Sequence, residues 1–226
     1  MKTAIGLLAV AALTLSASAQ NVIFDNGPPD GSNGFSAGDF DFGWRQAADD
    51  FILGDEYPYW NIEDAHFSVV WYYGGGLNYV SEVLVEFYED TGAGPAVDPM
   101  AVSPGVIPIA SQYYTGQYFF DREEVAYDLE FDCVELPAGT TFWVSFTMLN
   151  CPENAFWLCS AQGAGNIFGN EAYVWMDDYG YPKWTPSSYA FGDVYDMSFY
   201  LTGYGIPTPG ALALLGLAGL VRRRRR

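Results

Sequence analysis

The strongest constraint on the fold is a period of two. Within Val80–Tyr88, Val83, Val85 and Phe87 alternate with Glu82, Leu84, Glu86 and Tyr88. Thr141–Leu149 repeats the pattern, with Phe142, Val144, Phe146 and Met148 opposite Trp143, Ser145, Thr147 and Leu149. Successive side chains of a strand point to opposite faces, so these stretches can turn one apolar face to a core only as strands. Helical periodicity is scarce between residues 20 and 206. Aromatic and β-branched runs dominate there, broken by Gly, Pro and Asn. The predicted strands are Val22–Asp25, Ala47–Leu53, Ala65–Tyr73, Val80–Tyr88, Val106–Ser111, Ala126–Val134, Thr141–Leu149, Ala155–Cys159, Ala172–Met176 and Val194–Thr202. Leu136-Pro137-Ala138-Gly139 reads as a turn, with Pro preset for φ and Gly free to take positive φ. About ten short strands joined by turns predict an all-β body, a β-sandwich of the jelly-roll kind.

Charge separates the body from its ends. All 28 Asp and Glu lie within residues 20–206, which hold only Arg45, Arg122 and Lys183 as basic residues, a formal charge of −25. Nucleic-acid binding needs clustered Lys and Arg, so it is excluded for such a surface. Attraction to anionic membranes is excluded on the same ground. The seven Trp, 17 Tyr and 16 Phe all fall in this body and supply a sizeable core rather than a disordered chain.

The two ends read as addresses. Lys2, the apolar run Ile5–Leu15 and Ala17-Ser18-Ala19 have the form of a secretory signal peptide over residues 1–19. At the other end, residues 204–226 carry Pro207-Thr208-Pro209, an apolar stretch and five arginines, Arg222 to Arg226. The 16 residues Ile206–Val221 would span about 24 Å as a single hydrophobic helix, against a hydrocarbon core of about 30 Å. The arginines would hold its end in the cytoplasm and leave the body facing outward. The β-sandwich domain is placed at residues 20–203.

This tail resembles the PEP-CTERM sorting signal, with Thr208 where that family has Glu. The resemblance implies export, handling by an exosortase-like membrane peptidase and a place at the cell surface or in the extracellular matrix. The body is weakly similar to carbohydrate-binding-module-like sandwiches. That likeness is carried by Asp25–Gly31, Ala48-Asp49-Asp50-Phe51, Leu136–Thr140 and Asp196-Met197-Ser198-Phe199-Tyr200, and it implies fold more than function.

Few residues offer catalysis. His66 is the single histidine, so a Ser-His-Asp triad would have to use it and a multi-histidine zinc site is excluded. Its position in a strand reads as that of a partly buried histidine. Glu82 with Glu86, and Glu123 with Glu124, are the first pairs to inspect for glycoside hydrolysis, but nothing else marks them. The expected function is therefore non-catalytic. Three cysteines in an oxidising compartment suggest one disulfide. Cys151 and Cys159 are the favoured pair, because Pro152 lets the short loop bend. Carboxylates far outnumber their possible basic partners, and some fall in loops of calcium-like composition. Asp25, Asp30, Asp49, Asp50 and Asp196 are the candidate ligands of a structural Ca²⁺. Sugar rings stack on aromatic faces while Asp and Asn bind their hydroxyls. Trp175, Tyr179, Tyr181, Trp184 and Tyr189 therefore form the candidate polysaccharide platform. A purely structural or adhesive display protein, or a glycoside-processing enzyme, are the alternatives.

Overall fold

The computed structural model describes residues 21–40, 43–73, 76–151, 154–161 and 169–208. The predicted signal peptide, Pro209 and the apolar and arginine-rich part of the tail lie outside them. Among the described residues no helix is long and apolar enough to cross a membrane.

Fourteen strands are described, and they form two sheets of seven. In the first, the long β5 (Tyr59–Trp71) is the spine. β9 (Arg122–Pro137) runs antiparallel along one side of it, and β8 (Ser111–Phe119) lies beyond. The other side of β5 is shared. Tyr59–Phe67 pairs with β14 (Phe199–Ile206) and Val69–Trp71 with β11 (Ala155–Ser160). β1 (Asn21–Asp25) then pairs with β14, and β2 (Pro29–Ser36) with β11. The second sheet centres on β4 (Gly43–Ile52) and β10 (Thr141–Met148). β10 continues to β6 (Glu82–Glu89) and β7 (Gly105–Pro108). β4 continues to β12 (Tyr173–Met176) and β13 (Thr185–Pro186), while β3 (Gly38–Phe40) pairs with both β4 and β10.

The period of two is what closes the two sheets on each other. Phe67 of β5 stacks on Phe146 of β10 with ring centres 4.5 Å apart. Phe146 also meets Trp157 of β11 edge-on at 5.0 Å, and Phe24 meets Phe51 across the sheets at 5.8 Å. Val83, Val85 and Phe87 face this core as their spacing predicts, as do Phe142, Val144, Phe146 and Met148. The 136–139 turn also forms. Gly139 has φ +65° and its N–H donates to the Leu53 carbonyl.

Four strands lie outside the predicted set: β2, β3, β8 and β13. β2, β3 and β13 are rich in Gly, Ser, Asn, Asp or Pro, and β8 is interrupted at Gly116, so pairing with a neighbour holds them extended. β14 runs on to Ile206, past the boundary placed at residue 203, because Gly203 and Gly205 fit against β5. β10 differs from expectation on its second face. Trp143, Ser145 and Thr147 are buried as well, because Ala48, Tyr88 and Trp184 pack there as a second apolar cluster.

Candidate functional site

The outer face of the first sheet carries a row of side chains that are far apart in sequence. Phe199 and Leu201 of β14, Ala65 and Phe67 of β5, and Tyr127 and Leu129 of β9 face the core. The residues between them therefore face outward. Register then aligns Asp25 with Tyr200, Tyr200 with His66, His66 with Asp128 and Asp128 with Ser111, across five strands. The His66 and Tyr200 rings stack at 4.1 Å with 11° between their planes. Nδ1 of His66 lies 2.6 Å from Oδ1 of Asp128, whose other oxygen accepts from Ser111 Oγ. The pairing turns Nε2 of His66 away from Asp128.

This row floors a cleft of about 310 Å³. One wall is β8, with Tyr113 and Thr115; the other is the β1–β2 turn, with Asp25, Gly27, Pro28 and Pro29. Each wall is held by local bonds. Asp25 accepts from the Gly27 N–H at 2.8 Å and fixes the turn, and Ser198 Oγ donates to the Gly27 carbonyl at 2.8 Å. Thr115 Oγ1 donates to the buried Glu124 at 2.5 Å. Where the cleft ends, β2 and β8 meet. Gly31 takes φ +80°, and a Cβ there would stand 3.4 Å from the Phe119 ring. Beyond that contact lies a second hollow, lined by Val70, Tyr72, Phe120, Arg122, Phe156 and Leu158.

The predicted aromatic platform divides in two. Trp184 is buried at 8 % exposure, packs edge-on to Tyr88 at 5.0 Å and donates Nε1–H to the Ala96 carbonyl at 2.9 Å. It is a packing residue that closes the outer face of the second sheet. Trp175 joins it around Lys183, whose Nζ lies 5.0 Å from the Trp175 ring and 5.4 Å from the Trp184 ring. Burial pulls the Lys183 pKa down, against the upward pull of Glu86 and Asp98. Tyr179 and Tyr189 are exposed. Tyr179 and Tyr181 line a separate groove of about 540 Å³ with Arg45, Tyr72 and Phe191. Arg45 is held there by Asp178 at 2.5 Å and sits 5.1 Å from the Tyr179 ring. These five aromatics are therefore not one surface.

The five proposed calcium ligands also separate. Asp25 and Asp30 are turn formers, Asp30 accepting from the N–H groups of Ser32 and Asn33. Asp50 faces the outside of the second sheet, where Asn170 donates from its backbone N–H at 3.0 Å and its side chain at 2.9 Å. Burial nevertheless raises the Asp50 pKa to about 6. Asp49 lies in the core-facing row between Ala47 and Phe51 and accepts from Asn26 Nδ2 at 2.8 Å and Met197 N–H at 2.6 Å. Burial and the nearby Asp196 carboxylate push its pKa well above the ordinary range. Only Asp49 and Asp196 thus come together, with Asn26 beside them. Among the described residues no group of three or more His, Cys, Asp or Glu is placed to hold a metal ion.

The cysteines do not pair as expected. All three are free: Cys133 exposed, Cys151 half-buried and Cys159 buried. Cys159 points into the core from β11, while Cys151 Sγ turns to the Met148 carbonyl at 3.2 Å. Burial pushes the Cys151 thiol up to about 12, far from a reactive thiolate. Pro207 and Thr208 are exposed at the end of the described chain, and Pro209 lies outside it.

His66 is partly buried, as its strand position implies. Tyr113 and Asp128 lie in no stretch singled out by the sequence, Tyr200 ends the stretch Asp196–Tyr200, and only the strand register brings the three to His66. Compared with protein-family models, curated protein sequences and solved structures, the chain matches none.

Proposed function

We propose that this protein is an exported, non-catalytic surface or matrix protein that binds polysaccharide on the outer face of its first sheet. The observation that carries the reading is the cleft built on the Asp25–Tyr200–His66–Asp128–Ser111 row. It combines ring surfaces with hydroxyls, a ring nitrogen and carboxylates, the two kinds of surface a sugar offers partners for. The reading moves the glycan site away from Trp184, whose ring is spent on packing. We read the two sheets as a jelly roll, since neighbours such as β1 and β14, or β2 and β11, are distant in the chain.

Export rests on the signal-like residues 1–19 and the PEP-CTERM-like residues 207–226. An exosortase-like peptidase would act near Pro207-Thr208-Pro209, and the apolar stretch 206–221 would anchor the chain in the inner membrane before that step. Calcium keeps one narrower place in the proposal, at Asp49 and Asp196 with the Asn26 amide as third oxygen donor. Calcium takes six to eight oxygens, so backbone carbonyls or water would have to supply the rest.

The test is saturable binding of the purified protein to immobilised polysaccharides, compared with Tyr200→Ala. Binding to at least one polysaccharide, weakened about tenfold or more by the substitution while the melting temperature holds within a few degrees, is the expected outcome. No binding to any of them, or binding that Tyr200→Ala leaves untouched, overturns the reading.

A further inference from the structure

The cleft combines acidic charge with exposed ring surface; the hollow beside Glu89 and Asp90 is acidic too but carries no Tyr, Trp or His. The cleft's lining contains the carboxylates Asp25 and Asp128 and no Lys or Arg. The body's two arginines line two other hollows, and its one lysine is enclosed by Tyr88, Trp175 and Trp184. Asp25 is exposed and its turn bond uses one oxygen, from the Gly27 N–H. Tyr113, also exposed, and Tyr200 add ring surface that attracts a cation as well as a C–H face. Around the cleft lies a body whose formal charge of −25 over residues 20–206 concentrates cations and repels anions.

We infer that the cleft takes a cationic sugar, a polysaccharide unit bearing a protonated amine rather than a neutral hexose or a uronate. The inference rests on the polysaccharide reading above and names its ligand class. The ammonium group lies toward Asp25, and Nε2 of His66 and the Tyr113 and Tyr200 hydroxyls serve the sugar's hydroxyls. Acetylating the amine removes the charge and leaves a single amide N–H in place of the ammonium's three donors, so it removes the preference.

The experiment is calorimetric titration with three tetrasaccharides: β-1,4-linked glucosamine, its fully N-acetylated counterpart, and a polyuronate. The expected result is tenfold or tighter binding of the glucosamine form, lost in Asp25→Asn and weakened in Tyr200→Ala. Asp132→Asn, on the exposed part of β9, controls for loss of one charge anywhere on an acidic surface and is expected to bind as the parent does. Equal losses in Asp25→Asn and Asp132→Asn mark diffuse attraction and overturn the inference. Preference for the acetylated or the uronate oligomer, sensitive to Tyr200→Ala, overturns the cation inference while leaving polysaccharide binding standing. No binding of any tetrasaccharide overturns the inference, and the immobilised-polysaccharide assay then decides the broader reading separately.

Discussion

Asp50 shows how a single buried carboxylate makes stability depend on pH. It sits at 1 % exposure, and Asn170 satisfies its oxygens without supplying a counter-charge. Desolvation wins, and its pKa rises from 3.8 to about 6. The folded state therefore binds this proton at a higher pH than the unfolded state. The ionised form costs stability above about pH 6, and the cost is relieved as the pH falls toward the unfolded value. The expected result is a melting temperature that climbs on acidification from about pH 7.5 to 5, with a smaller climb in Asp50→Asn. Thermal melts of both proteins across that range check it; parallel curves would remove Asp50 as the cause. Trp184 illustrates the opposite limit of legibility. Its polar loop suggests a wet ring, yet Tyr88 and the Ala96 carbonyl take up its face and its N–H.

At the scale of the element, β5 and β14 decide the site, because their register sets His66 beside Tyr200. That register includes an irregular step between Thr202 and Gly203, opposite Asp64 and Ile62. A Cβ on Gly203 would overlap the Asn61 carbonyl oxygen, a backbone atom that cannot swing aside. Gly203→Ala is therefore expected to cost about 2 kcal/mol or more, read as a lower urea midpoint. A midpoint within a few tenths of a molar of the parent would show that the two strands slide without loss. The alternation in β6 and β10 made those strands legible from residue order alone. β2 and β8 were not: Pro29–Ser36 is rich in Gly, Ser, Asn and Asp, and Ser111–Phe119, though rich in Tyr, is broken at Gly116, where φ is +79° and the register with β9 shifts. β8 is also one wall of the cleft and β2 begins at the turn that forms the other, so the least legible strands border the candidate site.

For the whole molecule, charge is the dominant long-range term. Arg45 pairs with Asp178, and the body's three Lys and Arg side chains are far too few to offset 28 acidic ones. Self-repulsion of such a body is screened by salt, with a Debye length of about 10 Å at 0.1 M. Added NaCl is expected to raise the melting temperature gradually. Millimolar Ca²⁺ is expected to raise it further at matched ionic strength, and EDTA to reverse the gain, if Asp49, Asp196 and Asn26 bind the ion in the folded state alone. Melting curves that follow ionic strength and ignore the choice of cation would overturn that calcium site.

Residue order by itself determined the all-β class, the core faces of β6 and β10, the 136–139 turn and the acidic character of the body. Each follows from local rules: alternation, turn chemistry and a sum of charges. Only the tertiary structure decided which outward-facing residues meet. Asp25, Tyr200, His66, Asp128 and Ser111 come from five strands, and nothing in their sequence spacing relates them. Burial likewise separated Trp184 from Tyr179, and Asp49 from Asp50, although each pair is close in sequence. Adjacent strand residues face opposite sides of a sheet, so nearness along the chain placed Asp49 and Asp50 in different environments while pairing drew distant residues together.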